Sequence, residues 1–120
     1  MTAFPKQSRI VDSELLEAVR NIVCLGCASI DPAGAREAFF ENEMRSHPHH
    51  VITKGHGGGD VPQNVMPLCV KHHQEVHRGL TAFSERYQVA KDWLYGAGWT
   101  FNGVTWEEPA CVYRGQDGQD

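Results

Sequence analysis

Two short cysteine and histidine motifs, far apart along the chain, most constrain its fold. Cys24 and Cys27 form a C-x-x-C pair, and after 41 further residues Cys69 and His72 form a C-x-x-H pair. Three thiolates and one imidazole complete a closed tetrahedral zinc site, which is structural because no coordination position is left for a substrate. We therefore predict that a structural Zn²⁺ joins these two segments and supplements the modest core of a small domain.

The cysteines also admit a second interpretation, as two disulfides. The N-terminus, Met1 to Lys6, lacks the apolar core of a secretory signal, and the apolar runs are too short to span a bilayer. We therefore expect a cytoplasmic protein without a membrane segment. In a reducing compartment a C-x-x-C pair more often binds metal than forms a disulfide.

Length and composition predict one domain. The chain has 120 residues, of which 41% are hydrophobic and 22% charged, as is ordinary for a soluble globular protein. We expect a flexible tail over 1–9, a single domain over 10–108 and a disordered tail over 109–120. The net charge of −4 argues against a polycation that coats nucleic acid, but it leaves room for a local site.

Four helices are predicted from caps and apolar spacing. The first begins at Asp12 or Ser13 and runs to about residue 21, and the second begins at Asp31-Pro32 and extends to about residue 45. The third follows Cys69 and ends near Gly79. The fourth is indicated by apolar residues at helical spacing, which we interpret as a core face: Phe83, Tyr87, Ala90 and Leu94.

Two pairs of strands are predicted as well. Residues 49–53 have β-branched strand character, and 64–68 form a second candidate that Pro67 breaks. The glycine-rich loop between them either lets DNA approach closely or is a flexible turn. Farther along the chain, the Asn102-Gly103 pair predicts a two-residue hairpin.

The predicted hairpin carries aromatic side chains. Its turn would place Phe101 opposite Val104 and Trp99 opposite Trp106. Exposed aromatic rings could stack on bases, but the large apolar area of a tryptophan favours cover for a small core.

All seven histidines lie between residues 47 and 77, which indicates a metal site, because histidine is the usual ligand of first-row metals. His73 and His77 are four residues apart and share one face of the predicted helix. His49 and His50 are adjacent on a predicted strand, so they point to opposite faces and cannot easily share one ion. One of the two would bind metal, and the other would activate water.

The order of these residues resembles the HNH endonuclease family, especially its zinc-knuckle form in phage and prophage nucleases. The resemblance rests on His49-His50-Val51, on Gly57-Gly58-Gly59-Asp60, on Asn64 and on the run from Pro67 to His73. It covers roughly residues 20–95. It implies an α+β fold with a small ββα-metal (His-Me finger) core over 47–78, a structural zinc knuckle and flanking helices.

The resemblance also implies a role for each matching residue. His50 would be the general base, and Asn64 would tie the loop to the first strand and orient His50. His49, His73 and His77 would hold the catalytic ion. Many members have Asp where His49 stands, but the colicin-type nucleases of the family also use His-His here and add a final histidine, matched by His77. The implied reaction is hydrolysis of DNA phosphodiester bonds, leaving a 5′-phosphate.

The implied cofactors are the structural Zn²⁺ and one catalytic divalent metal. Three nitrogen ligands favour Zn²⁺, Ni²⁺ or Mn²⁺ in affinity, whereas Mg²⁺ prefers oxygen, and the choice among them stays open. The implied partner is DNA. Lys54, His56, Lys71 and Arg78 are candidates for contacts with its phosphate backbone, although single surface cations usually serve only solubility and loop histidines are commonly just exposed to solvent. The phage resemblance places the protein in a bacterial host cytoplasm, where phage packaging or recombination proteins are conceivable partners.

Two other functions compete with the nuclease. A non-catalytic, zinc-stabilised DNA-binding module needs only the paired cysteine and histidine motifs, and it leaves the order of His49, His50, Asn64, His73 and His77 unexplained. A zinc protease of the H-E-x-x-H type needs a glutamate directly after the first histidine, where this chain has Gln74.

Overall fold

Residues 9–114 are described by a computed structural model, and within this range the chain is a mixed α+β fold. Its helices are α1 (Ser13–Arg20), α2 (Leu25–Ile30), α3 (Pro32–Glu41), α4 (Val70–Val76), α5 (Leu80–Arg86), α6 (Gln88–Gly96) and α7 (Cys111–Arg114). Its strands are β1 (His47–His50), β2 (Val65–Leu68), β3 (Thr100–Phe101) and β4 (Trp106–Glu107), and a short 3₁₀ turn covers Lys54–His56. No helix in the described range is long and apolar enough to cross a membrane.

An antiparallel ribbon of β1 and β2 leads directly into α4. All four residues of β1 pair with β2, and Pro48 stands opposite Pro67. Antiparallel strands alternate between hydrogen-bonded and non-bonded pairs, and a proline in a non-bonded pair removes no hydrogen bond from the ribbon. The prediction that Pro67 breaks the second strand is therefore wrong, and the first strand covers 47–50 rather than 49–53.

The first two predicted helix starts are confirmed. The side chain of Asp12 accepts a hydrogen bond from the Leu15 N–H (3.0 Å), and that of Asp31 accepts one from the Gly34 N–H (3.1 Å). Each is a carboxylate cap that satisfies a free N–H of the first turn. The second of these helices is shorter than predicted, since α3 ends at Glu41.

The core lies between the ribbon, α2, α5, α6 and the segment from β3 to α7. Its buried side chains are Cys24, Leu25, Met66, Leu68, Val76, Phe83, Tyr87, Ala90, Leu94, Trp99, Trp106 and Val112. The apolar stripe predicted as core is therefore confirmed as core. It does not form one helix, however, because Tyr87 has an extended backbone (φ −121°, ψ 102°) that separates α5 from α6.

The hairpin of β3 and β4 has a different register from the predicted one. Phe101 pairs with Trp106 rather than with Val104. The side-chain oxygen of Asn102 accepts two backbone N–H groups within the loop, at 2.8 and 2.9 Å, which stabilises a longer loop than the predicted two-residue turn. Trp99 and Trp106 are both buried, which confirms that they cover the core.

Parts of both predicted tails belong to the fold. Arg9, assigned to the tail 1–9, donates a hydrogen bond to the Gly58 carbonyl at 3.1 Å. Val112, assigned to the tail 109–120, is fully buried and accepts the Gly59 N–H at 2.8 Å. The folded region thus extends beyond 10–108 at both ends, and the other residues of the two tails, 1–8 and 115–120, lie outside the described part of the chain.

Candidate metal centres

Four predicted zinc ligands come together in the structure and are called here the Cys3His group. The His72 Nδ1 atom lies 3.3 Å from the sulfurs of Cys24 and Cys69 and 3.6 Å from that of Cys27. The sulfurs of Cys27 and Cys69 are 3.9 Å apart. Ligand atoms around a tetrahedral zinc ion, with bonds of about 2.0–2.3 Å, stand about 3.6–3.8 Å from one another. The Cys3His group could therefore hold a metal ion such as zinc.

Two helix starts bring the Cys3His group together. Cys24 precedes α2 and Cys69 precedes α4, so each helix places its second ligand in its first turn. Gly26 lets the two helices approach, because a Cβ atom on it would lie 2.5 Å from the His72 ring. The C-x-x-C motif could suggest that Gly26 permits a tight turn, but Gly26 lies inside α2, and the space beside it is taken by the His72 ring.

The Cys3His group favours a cation electrostatically. Burial and the neighbouring thiols Cys24 and Cys69 raise the pKa of Cys27 to about 12, and burial is also the main cause of a raised pKa at Cys24. Burial lowers the pKa of His72, which keeps its imidazole neutral. Thiolates crowded in this way are stabilised only by a positive charge among them, and a divalent ion provides it.

A second group is formed by His49 from β1, His73 from α4 and His77, which follows the last residue of α4, and is called here the histidine triad. The three ring centroids are 5.0 Å apart in every pair, and one nitrogen of each ring lies within 4.8 Å of the others. His49 is buried, whereas His77 is exposed. The histidine triad therefore opens towards solvent on one side, in contrast to the Cys3His group, which supplies four ligands by itself.

Two rings of the histidine triad, those of His49 and His73, have lowered pKa values that favour the neutral form and hence metal binding. Burial is the main cause that lowers the pKa of His49 to about 3, and the charges of His73 and His77 act in the same direction. Burial likewise lowers the pKa of His73, and His77 and His47 contribute. A neutral imidazole keeps a nitrogen lone pair free for a metal ion.

His50 points away from the histidine triad and contacts a carboxylate that the sequence did not single out as its partner. Its Nε2 atom lies 2.6 Å from Oδ1 of Asp60, and both side chains are buried. Such a carboxylate fixes the orientation of an imidazole and the nitrogen that carries its proton. Within residues 51–64, Asp60 is the single acidic residue of the sequence, which is the signal that could have revealed it.

Asp60 is held by donors from the segment that leads into α1. Arg9 Nη1 donates to its Oδ1 atom at 2.9 Å, and the Asp12 N–H donates to its Oδ2 atom at 2.8 Å. Burial alone would raise the pKa of Asp60, but these bonds, the contact with His50 and the charge of Arg9 outweigh it and lower that pKa to about 2. Asp60 is therefore a carboxylate at neutral pH.

Asn64 ties the loop to the end of the first strand, as expected, but its hydrogen bonds do not reach the His50 ring. Its Oδ1 accepts the Ile52 N–H at 2.8 Å, and its Nδ2 donates to the carbonyls of Ile52 (3.0 Å) and Gly59 (3.1 Å). The side chain that contacts the His50 ring is Asp60. Asn64 acts one step farther away, because it fixes the residue that precedes Asp60.

Gly58 explains why this loop is rich in glycine. A Cβ atom on Gly58 would lie 1.8 Å from the carbonyl oxygen of Ile52 and 2.8 Å from Nδ2 of Asn64. The loop therefore needs a residue without a side chain here in order to pack against the strand end, which favours neither of the two predicted explanations of its glycines.

The predicted nucleic-acid contacts lie in two places. Lys54 and His56 belong to the exposed 3₁₀ turn after β1. Lys71 on α4 and Arg78, two residues after the end of α4, are exposed. Both line a surface hollow together with Arg86, a cation that the sequence did not single out. Glu75 also lines this hollow and pairs with Arg86 at 2.9 Å, so part of its positive charge is compensated.

Comparison with known proteins adds one relative. The chain is 33% identical over 86 residues to the "Uncharacterized protein YdfU" of Escherichia coli strain K12. The match covers 69% of this chain and 21% of that protein, so the chain spans about a fifth of the length of the relative. No family model and no solved structure matches the chain. Function therefore has to be argued from the two groups of ligands and from the His50–Asp60 pair.

Proposed function

We propose that the protein is a metal-dependent endonuclease of the HNH type that hydrolyses DNA phosphodiester bonds. In this proposal β1, β2 and α4 form a ββα-metal core, the Cys3His group holds a structural zinc ion, and the histidine triad holds one catalytic divalent ion. His50 is the general base. The setting would be a phage or prophage protein in a bacterial cytoplasm.

The observation that carries the proposal is the division of labour between His49 and His50. Strand alternation turns His49 towards His73 and His77, which makes a group of three nitrogen ligands that is open to solvent. The same alternation turns His50 towards Asp60 at 2.6 Å. A site with three protein ligands and an open side is typical of catalytic metals, and a histidine with a carboxylate partner is typical of a general base.

The His50–Asp60 pair fixes which nitrogen would accept the proton. Because Nε2 faces the ionised Asp60, that nitrogen carries the hydrogen, and Nδ1 is left as the acceptor for a proton from the attacking water. Asp60 also stabilises the imidazolium that forms once His50 has taken the proton. When bound, a divalent ion supplies Lewis-acid stabilisation of the negative charge on the phosphate and on the leaving oxygen.

The cationic hollow on α4 supports DNA as the polymer that is bound. Lys71, Arg78 and Arg86 outnumber Glu75 there, so the hollow has a net positive charge that suits phosphate oxygens. Lys54 and His56 would add contacts from the exposed turn after β1. Contacts of this kind position the backbone but do not read the sequence, so they predict binding that weakens steeply with salt.

A second candidate is a zinc-stabilised DNA-binding module without catalysis. It is favoured by the completeness of the Cys3His group, which would stabilise the fold with or without an ion in the histidine triad. This module and the nuclease share the cationic surface and differ only in whether bound DNA is cut.

The test is the cleavage of supercoiled plasmid by the purified chain, after removal of loosely bound metal and addition of Mg²⁺, Mn²⁺, Ni²⁺ or Zn²⁺, with EDTA as the blank. DNA binding is measured on the same samples by fluorescence anisotropy. We expect nicking with at least one ion and none in EDTA. Folded, metal-loaded protein that binds DNA and leaves the plasmid intact with every ion would replace the nuclease by the binding module.

A further inference from the structure

His47 lies next to the histidine triad and has no role in the chemistry described above. It is two residues before His49 on β1, so both side chains stand on the same face of the ribbon. Its Nδ1 atom is 3.3 Å from Nδ1 of His73, and the two rings meet edge to face with centroids 5.5 Å apart. His47 is therefore within hydrogen-bonding distance of one triad member.

His47 stands outside the triad rather than within it. The nitrogens that lie within 4.8 Å of one another belong to His49, His73 and His77, and His47 is not among them. Among residues 9–114, His47 is the one side chain that hydrogen-bonds to the ring of His73. Because the Nδ1 atom of His73 faces His47, Nε2 is the nitrogen of His73 that remains for an ion.

We infer that His47 is a positioning residue, which accepts a hydrogen bond from the Nδ1–H of His73 and so holds the Nε2 atom of His73 ready for a divalent ion in the histidine triad. The inference rests on the proposed catalytic metal site. A histidine ligand usually donates its second ring nitrogen to an acceptor that fixes the tautomer and the ring orientation, and loss of such an acceptor typically lowers metal affinity about 10–100-fold. In this chain the acceptor is another imidazole.

Three variants separate this role from a general structural one. His47→Leu replaces the acceptor by an apolar side chain of similar size. His47→Asn restores an acceptor, because its side-chain oxygen is attached to Cγ in the place where histidine carries Nδ1. His56→Leu is the matched control, since His56 is also exposed but bonds to Thr53 instead of to a ligand.

The measurement is a titration of each full-length protein, first freed of metal, with Co²⁺ followed by absorption spectroscopy. Cobalt in the Cys3His group shows sulfur-to-metal charge-transfer bands, whereas cobalt in the histidine triad does not, so the two sites are read separately in one sample. Nitrogen-15 NMR of the zinc-loaded wild type identifies which nitrogen of His73 binds the ion.

We expect affinity at the histidine triad to fall about 10–100-fold in His47→Leu, to recover in large part in His47→Asn and to stay unchanged in His56→Leu, with the Cys3His group unaffected throughout. Equal triad affinity in His47→Leu and in the wild type, or metal on Nδ1 of His73, would overturn the role of His47 alone. A wild type that binds no ion outside the Cys3His group would overturn both this inference and the proposed catalytic site.

Discussion

Replacing Asp60 by asparagine tests the contact that holds His50 in place. The carboxylate accepts hydrogen bonds from Arg9 and from the Asp12 N–H, and it contacts His50. An asparagine has one oxygen and one NH₂ group. If its oxygen faces Arg9 and His50, its NH₂ meets the Asp12 N–H, and if it is turned round, the NH₂ meets Arg9. At least one donor therefore loses its acceptor in either orientation, and the second orientation also leaves His50 facing the NH₂ group.

The magnitude follows from the pKa of Asp60. A pKa lowered to about 2, from about 3.9 in an unfolded chain, corresponds to roughly 2.5 kcal/mol of folding stability at neutral pH. A stranded buried donor costs about 1–3 kcal/mol, and the two contributions overlap because they describe the same bonds. We expect Asp60→Asn to lower the free energy of unfolding by about 3 kcal/mol at pH 7.

The stability difference between the wild type and Asp60→Asn should depend on pH. Because the pKa of Asp60 is lower in the folded state, its contribution is complete above the unfolded pKa and is lost as the pH falls from about 4 through about 2. The difference between the wild type and Asp60→Asn should shrink over that interval. Both proteins are compared at equal metal concentration, since loss of metal in acid affects both in the same direction.

The assay is equilibrium unfolding in urea, with Asp12→Asn as the matched control. Asp12 is exposed and caps α1, where asparagine is an equally good cap, so this change should alter stability by less than about 0.5 kcal/mol. A loss of less than about 1 kcal/mol in Asp60→Asn at pH 7, or a loss as large at pH 2 as at pH 7, would refute the reasoning.

Three further predictions concern the Cys3His group and the core. Gly26→Ala places a methyl group 2.5 Å from the His72 ring, so we expect the zinc affinity to fall about tenfold when it is measured by chelator competition. Gly96→Ala is the control, because Gly96 has open space around it and the zinc affinity should stay unchanged. Stripping zinc with a strong chelator should lower the melting temperature followed by circular dichroism by about 10 °C or more, because structural zinc contributes folding energy directly; an unchanged melting curve would contradict a structural role. Met66→Ala empties a fully buried site and should cost about 2–5 kcal/mol in urea unfolding, and a cost under about 1 kcal/mol would contradict its place in the core.

The ligand groups could be predicted from the sequence because their geometry is local. A C-x-x-C or C-x-x-H pair places both side chains at one helix start, and the spacing of His73 and His77 places both on one helix face. Strand alternation separates His49 from His50 in the same way. Each of these rules requires only that the segment is a helix or a strand. Because sulfur and imidazole groups bind the same metal ions, the residue types then indicate which segments come together around one ion.

Asp60 as the partner of His50 could not be predicted in this way. An aspartate after three glycines is typical of a turn. Its contact with His50 exists only because the loop folds back on the strand end, where Asn64 and Gly58 fix its path, and because Arg9 reaches it from 51 positions away in the sequence. These are tertiary contacts between single residues, and no periodic pattern in the sequence predicts them.

The errors outside the site have similar causes. The spacing from Phe83 to Leu94 fits one helix, and only the backbone of Tyr87 shows that the stripe is divided between two. The Asn102-Gly103 pair predicts a tight turn, but the Asn102 side chain stabilises a longer loop that changes the strand register. In both cases the chain adopts a less common local conformation, a helix break or a longer loop, that buries the same apolar residues as the commoner one.

The most direct test of the central claim is the plasmid-nicking rate of His50→Ala, measured with a count of bound metal ions and beside the control His56→Ala. Since the proposal assigns His50 to proton transfer and not to coordination, His50→Ala should keep both ions and nick about 10²–10⁴-fold more slowly than the wild type. His56→Ala removes only a proposed phosphate contact, so at saturating DNA it should nick within a few-fold of the wild-type rate. A folded His50→Ala protein that carries both ions and nicks plasmid at the wild-type rate would contradict the account.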